Sequence, residues 1–207
     1  MFNNNSWQAP KFSSLPPNQA IAEIALINVP YGKGGQSMRP LGLCSLGAYL
    51  VSHGIKVKGF DFSDSLKSPD ELVQKYQLYK YPIIGLSFYN INASLAYRIA
   101  REIKTRNSLC KIIAGGPHAT ATHSTLFINH PEIEIVVRNE GEETLLELLV
   151  SLKTKKPLSQ IKNITYHMGK KIIINSERDP IENLDELPAP VFDFEGESKG
   201  KPLLFFD

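Results

Sequence analysis

Lys111-Ile112-Ile113-Ala114 is a short apolar run of the kind buried between neighbours in a parallel sheet, and it stops abruptly at Gly115-Gly116-Pro117. Two adjacent glycines put bare main chain where a ligand can approach closely. A second apolar run, Ile133 to Val137, stops at Glu140-Gly141-Glu142 and leads into an amphipathic stretch, NEGEETLL over 139–146. Two consecutive strands that end in glycine-containing turns belong on one edge of one sheet. In open α/β sheets that edge, at the carboxyl ends of the strands, is where ligands bind.

The rest of the chain repeats the alternation. Glu23 to Val29 (EIALINV) reads as a buried strand. Pro30 to Arg39 (PYGKGGQSMR) is a glycine-rich loop. Pro40 then opens a helix whose apolar stripe is Leu41, Leu43, Leu46, Leu50 and Val51 and whose end is marked by Gly54. Ile55 to Asp61 alternates and forms a second strand. Ser68, Pro69 and Glu71 spell a capping box with Pro in the first turn. Pro82 to Ser87 is the third strand. Asn92 starts a helix with Leu95, Ile99, Ala100 and Ile103 on one face. This order predicts an α/β fold: a doubly wound, flavodoxin-like or Rossmann-like sheet of five parallel strands with right-handed crossovers. The first, third and fourth strands are the most apolar. Placing them centrally gives the order 2-1-3-4-5, with its switch point between strands one and three.

After Pro157 the character changes. Ile161 to His167 and Lys171 to Asn175, joined at Met168-Gly169-Lys170, read as a β-hairpin. Prolines and acids beyond it suggest an extended connector rather than a second core. The expected organisation is an N-terminal arm over 1–20, a ligand-binding α/β domain over 21–157, the hairpin over 158–178 and the connector over 179–207. Trp7 and Phe12 of the arm are candidates to dock on the body.

Several classes are excluded. A net charge of +2, with Lys and Arg scattered, leaves no electrostatic footprint for nucleic acid. No apolar run nears the roughly 20 residues a membrane span needs, and the N-terminus lacks the basic and apolar segments of a secretory signal. Cys44 and Cys110 form no CxxC and read as buried free thiols of a cytoplasmic protein. The spacing of His118, His123 and His130 does not suit a metal. The glycine-rich loop lacks the GxxxxGK[ST] of a phosphate loop, and GxGxxG is absent. No Ser-His-Asp or Cys-His order stands out, so no catalytic residue is assigned. His118 is either a surface or capping residue or a polar group at the crevice mouth. Glu140, Glu142 and Glu143 suit a helix start electrostatically, or accept hydrogen bonds from a ligand.

A set of short motifs carries a resemblance. Pro40-Leu41-Gly42-Leu43 with Leu46-Gly47-Ala48-Tyr49-Leu50, Asp61, Gly85-Leu86-Ser87, Gly115 to Thr120 (GGPHAT), Glu140-Gly141-Glu142 and Asn183 to Pro190 (NLDELPAP) resemble the N-terminal cobalamin-binding domain of cobalamin-dependent radical S-adenosylmethionine enzymes. The resemblance spans residues 22 to 195. Asn139 stands where the family pattern has Gly.

The resemblance implies cobalamin as cofactor, presented to a radical domain in cis or trans that carries S-adenosylmethionine and a [4Fe-4S] cluster, for methyl transfer. It implies that Pro40, Leu41 and Gly42, then Ser87, Phe88, Tyr89 and Asn90, then Gly115, Gly116, Pro117, His118 and Thr120, and finally Glu140, Gly141 and Glu142 form the cobalamin site. The nucleotide tail would thread between strands one and three, with Ser87 and Thr120 hydrogen-bonding it, and Phe88 to Ile91 would face the lower side of the corrin. The Asp-x-His-x-x-Gly signature is missing, which implies base-off cobalt. The CxxxCxxC that holds the cluster is not among these 207 residues. The expectation is therefore an N-terminal domain of a longer protein or a free-standing cobalamin carrier, with no radical chemistry of its own. The competing reading is a flavodoxin-like flavin or small-molecule module, with Tyr31 and Tyr89 flanking an isoalloxazine.

Overall fold

A computed structural model describes residues 23–32 and 40–196. The expectations for the N-terminal arm, most of the glycine-rich loop and the last part of the connector lie outside these residues. Along the chain the elements are β1 (Ile24–Asn28), α1 (Leu41–Ser52), β2 (Val57–Asp61), α2 (Pro69–Lys75), β3 (Ile83–Ser87), α3 (Ala93–Arg106), β4 (Lys111–Gly115), α4 (Pro117–Thr122), α5 (Leu126–Asn129), β5 (Ile135–Val137), α6 (Glu142–Thr154), β6 (Ile164–Met168), β7 (Lys171–Ile174) and β8 (Phe194–Gly196).

They build one sheet of eight strands in the order β7-β6-β5-β4-β3-β1-β2-β8, not five. The pairs from β2 through β1, β3 and β4 to β5 are all parallel. Two additions enlarge the sheet. The hairpin is no separate unit: β6 pairs antiparallel with β5, and β7 pairs with β6. The connector returns to the opposite edge, where β8 pairs parallel with β2. Both additions cover edges that would otherwise expose unpaired N–H and C=O groups.

Strand side chains alternate between two cores. Ala25, Ile27, Phe60, Ile84, Leu86, Ile112, Ala114 and Val136 join one, under α2, α3, α4 and α5. Ile24, Leu26, Ile113, Ile135, Val137, Ile164 and Tyr166 join the other, under α1 and α6. The period of two puts bulky residues on the first face almost without interruption. On the second face it puts Gly59 of β2 and Gly85 of β3 on either side of Leu26, and Gly115 of β4 beside Ser87 at the carboxyl end.

Local chemistry explains the element ends. Ser68 accepts from Glu71 N–H at 3.3 Å and the Glu71 carboxylate accepts from Ser68 N–H at 2.7 Å, a complete capping box at α2. Gly54, at φ +79°, turns the chain after α1. Asn92 is fully buried before α3. Its side chain accepts from Tyr89 N–H at 2.7 Å and donates to Val29 C=O at 3.1 Å, tying the end of β1 to the turn after β3. No helix among the described residues is long and apolar enough to cross a membrane.

Candidate functional site

On the α1/α6 face a cavity of about 270 Å³ opens at the carboxyl edge of the sheet. Its floor is β3 and β4: Gly85, Leu86 and Ser87, then Ile113, Ala114 and Gly115. Leu26 of β1 and Val137 of β5 close its sides. One wall is α1, through Gly42, Leu43 and Leu46. The other is the turn into α6, from Asn139 to Glu142, with Leu145 behind it. The lining is mostly apolar, with Ser87 on the floor and polar residues at the mouth.

The cavity exists because two of its positions lack a side chain. Among the described residues, a Cβ on Gly42 would meet nothing within 4 Å, and one on Gly115 would come no closer than 3.8 Å to any atom, the Val137 carbonyl oxygen. Larger residues at either place would grow into empty space. Gly85 differs, since a Cβ there would lie 2.9 Å from Leu26 Cδ2. Gly116 differs again. Its φ is +87°, and a Cβ would lie 2.9 Å from the Phe88 carbonyl oxygen and 3.1 Å from Phe88 N. That glycine lets the turn after β4 pass against the turn after β3. Its requirement is internal to the protein and does not depend on a ligand.

Of the residues the sequence singled out, the cavity gathers Gly42, Ser87, Gly115, Gly116, Glu140, Gly141 and Glu142 from four separate segments. Pro40 and Leu41 stand at the start of α1 beside it but do not line it. Phe88 is placed otherwise than expected: it is fully buried on the opposite face, against Tyr97 and His118. An extended chain sends Ser87 and Phe88 to opposite sides, so Ser87 faces the cavity and the Phe88 side chain does not. Tyr89 and Asn90 follow it at the surface, Tyr89 half-exposed and Asn90 exposed. Pro117 begins α4. His118 Nε2 is 3.0 Å from the Tyr97 hydroxyl, away from the cavity. Thr120 Oγ1 accepts from Asn139 N–H at 3.1 Å, which holds the two glycine turns together.

The carboxylates are partly committed. Glu142 Oε1 accepts from the Ser45 hydroxyl of α1 at 2.8 Å, bridging the two walls. Glu140 Oε2 accepts from Ile181 N–H at 2.7 Å, holding the connector. Asn139 has φ +54°, the left-handed conformation that glycine and asparagine tolerate best. This accounts for Asn in place of the family's Gly: both satisfy the same backbone requirement.

Sequence reasoning missed Leu26, Leu46 and Ile113 as walls, because an apolar residue in a strand or helix signals core whether or not a cavity lies beside it. Gly85 did carry a signal, since a glycine inside a central strand marks a close approach. The flavin alternative loses its geometric basis. The Tyr31 and Tyr89 ring centroids are 6.2 Å apart, so the two rings pack as a pair with no slot between them.

The profile of the B12 binding domain matches residues 28–149, the stretch from the end of β1 through most of α6. The chain belongs to the B12-binding domain family. Among curated proteins it is 30% identical over 189 residues to an uncharacterized methyltransferase of Pyrococcus horikoshii, covering 86% of this chain and 37% of that protein. It is 25% identical over 169 residues to an anaerobic magnesium-protoporphyrin IX monomethyl ester cyclase of Synechocystis, covering 78% of this chain and 34% of that one. The chain thus spans about a third of the length of these relatives. Among solved structures it is similar in fold to the radical S-adenosylmethionine methyltransferase TsrM of Kitasatospora setae, solved with cobalamin and a [4Fe-4S] cluster. That match has a TM-score of 0.66 at 15% identity, over 82% of this chain and 31% of TsrM.

The residues fit a cobalamin on chemical grounds. A narrow, mainly apolar slot with bare backbone on two sides suits the flat, largely apolar base at the end of a nucleotide tail. It is too small for a corrin. No cavity-lining residue is a histidine, and no group of three or more His, Cys, Asp or Glu among the described residues could hold a metal ion.

Proposed function

We propose that this chain is the cobalamin-holding part of a cobalamin-dependent radical S-adenosylmethionine enzyme, serving methyl transfer. The observation that carries the reading is the glycine-cut cavity between α1 and α6, whose lining residues other than Leu26 lie within the segment matching the B12 binding domain.

In this reading Gly42, Gly115 and the Ala114 backbone admit the tail, Leu26, Leu43, Leu46 and Ile113 strip water from its base, and Ser87 supplies a hydrogen bond from the floor. Each apolar square ångström so covered contributes roughly 25 cal/mol. Pro40, Leu41, Tyr89, Asn90 and Pro117 stand at the rim that a corrin would cover. Glu140 and Glu142 hold the walls in place and offer their remaining oxygens to ligand amides. Phe88, His118 and Thr120 act behind the site, as packing and loop contacts. When bound, cobalamin supplies a cobalt centre able to carry a methyl group. With its base held in the slot, the cobalamin would be bound base-off, and no histidine lines the cavity to replace that base. S-adenosylmethionine and the [4Fe-4S] cluster belong to a radical domain in cis or trans, and residues 179–207 form the connector toward it. Residues 21–157 are the binding domain in this organisation. The working place of such a protein is the cytoplasm.

Protein mixed with hydroxocobalamin should retain the corrin absorbance through gel filtration. Gly115→Val should abolish retention while far-ultraviolet circular dichroism stays unchanged, since the position has no positive φ and room for a side chain. Retention of riboflavin phosphate without corrin would favour the flavin module instead. Electron paramagnetic resonance of the bound cob(II)alamin should lack nitrogen hyperfine splitting. A splitting lost in His118→Ala would defeat the base-off assignment.

A further inference from the structure

Residues 176–196 leave β7 at one edge of the sheet and rejoin it at β2, near the other. Between these points they touch α6, then α1, then β2. Arg178 pairs with Glu143 at 2.8 Å and with Glu147, both on α6. Ile181 N–H donates to Glu140 at the head of α6. Phe192 lies over Gly47 of α1 and Gly59 of β2, where an added Cβ would come within 2.7 Å and 2.6 Å of its ring. Strand β8 follows, and Glu195 pairs with Lys58 of β2. The middle, residues 182–186, is exposed throughout. This is a belt with a latch at each end and a bare centre.

The belt's anchors are the walls of the cavity. α1 and the head of α6 flank it, and Glu140 both lines it and accepts from Ile181. We propose that residues 176–196 are a strap that senses whether the cavity is filled: ligand entry and strap latching favour each other through α1, α6 and Glu140. A ligand wedged between the walls needs them at one separation, and the strap holds them there from outside. Removing the strap leaves Glu140, Glu143 and Glu147 clustered at the start of α6 without their partners, which loosens the wall that the ligand must meet. Coupling of this kind is reciprocal, so a latched strap must raise affinity by the same factor that ligand raises latching. The proposal takes cobalamin as the ligand and so rests on the function proposed above.

The test uses the full chain with hydroxocobalamin as probe. Glutamyl endopeptidase should cut after Glu182 and Glu186 in the free protein, and loading with hydroxocobalamin should slow both cuts about tenfold. Arg178→Ala should weaken hydroxocobalamin binding about tenfold and abolish the protection, and Arg178→Lys should restore part of both. Equal cleavage of free and loaded protein, or wild-type affinity in Arg178→Ala, would overturn the strap. A wild-type chain that retains no corrin would instead overturn the cobalamin reading, and the strap with it.

Discussion

Helix α1 carries two glycines that face different neighbours. Gly47 looks onto the Phe192 ring, which also fills the space above Gly59. Among the described residues Gly42 looks onto nothing within 4 Å, and it lines the cavity that reaches Gly115. Each glycine costs a helix about 1 kcal/mol relative to alanine. At Gly47 the protein itself offsets that cost, by packing an aromatic ring into the notch. At Gly42 no group of the described chain does so. The same sheet face therefore holds one notch that is closed by the chain's own connector and one that is left open. A glycine that admits a neighbouring side chain is part of folding. A glycine with nothing opposite it is open surface, as Gly169 in the hairpin turn also is, and at Gly42 that open surface borders the cavity.

The largest expected effect separates both notches from a third kind of glycine. Gly116→Val combines a forbidden backbone conformation with a clash against Phe88, and should cost about 4 kcal/mol. Thermal unfolding should show it as a large fall in Tm or a failure to fold. Loss of ligand binding in that variant would say nothing about the cavity. A stable Gly116→Val would break the distinction between structural and ligand-admitting glycines.

Emptying the closed notch comes next. Phe192→Ala should destabilise by about 2 kcal/mol, less than a fully buried phenylalanine because the ring is half-buried. Denaturant unfolding would measure this. A neutral result would mean that the connector does not hold Phe192 in the notch in solution, and the contrast between the two glycines would lose one side.

The smallest effect contrasts the packed face with the open one. His130 stacks on Tyr97 with ring centroids 3.4 Å apart, and burial pushes its pKa below the usual 6.5. His123, hydrogen-bonded to Thr165 at 2.9 Å, is lowered first by burial and then by Arg138. Both prefer to be neutral in the folded state. As pH falls below about 6.5 the unfolded chain takes up these protons before the folded one does, so stability present above that pH is lost down to the depressed folded values. Tm should decline modestly from pH 7 to pH 5.5, and His130→Phe should flatten the decline. The cavity contains no histidine, so this titration acts on the packed face alone. An unchanged slope in His130→Phe would remove that residue from the account.

Much of this was legible in the chain. The five parallel strands announce themselves as apolar runs that end in turn residues, and the edge where Gly115 and Glu140 meet follows from the order of elements. The β8 addition was not legible. Three residues of Pro-rich, acidic connector have no periodicity, and their pairing with β2 depends on Phe192 finding Gly47 and Gly59, which lie far apart in sequence. The hairpin was visible as a hairpin, but nothing local says that β6 pairs with β5 rather than standing apart. At the site, glycines pointed to close approach without saying what approaches. Gly116, Gly47 and Gly42 look equivalent as letters, and only the third dimension shows a backbone, a phenylalanine and an opening. Phe88 was misplaced because its neighbours in sequence are at the rim, while strand alternation turns its side chain inward.

Gly42→Leu tests whether the open notch between α1 and α6 is where the ligand sits. The substitution restores helix propensity and adds a side chain where no described residue stands, so the folded protein should be as stable as wild type or up to about 1 kcal/mol more stable. Equilibrium titration with hydroxocobalamin, followed by corrin absorbance, should then show at least a tenfold rise in Kd, because the leucine occupies the slot. Wild-type affinity in a folded Gly42→Leu protein would place the cobalamin somewhere other than between α1 and α6.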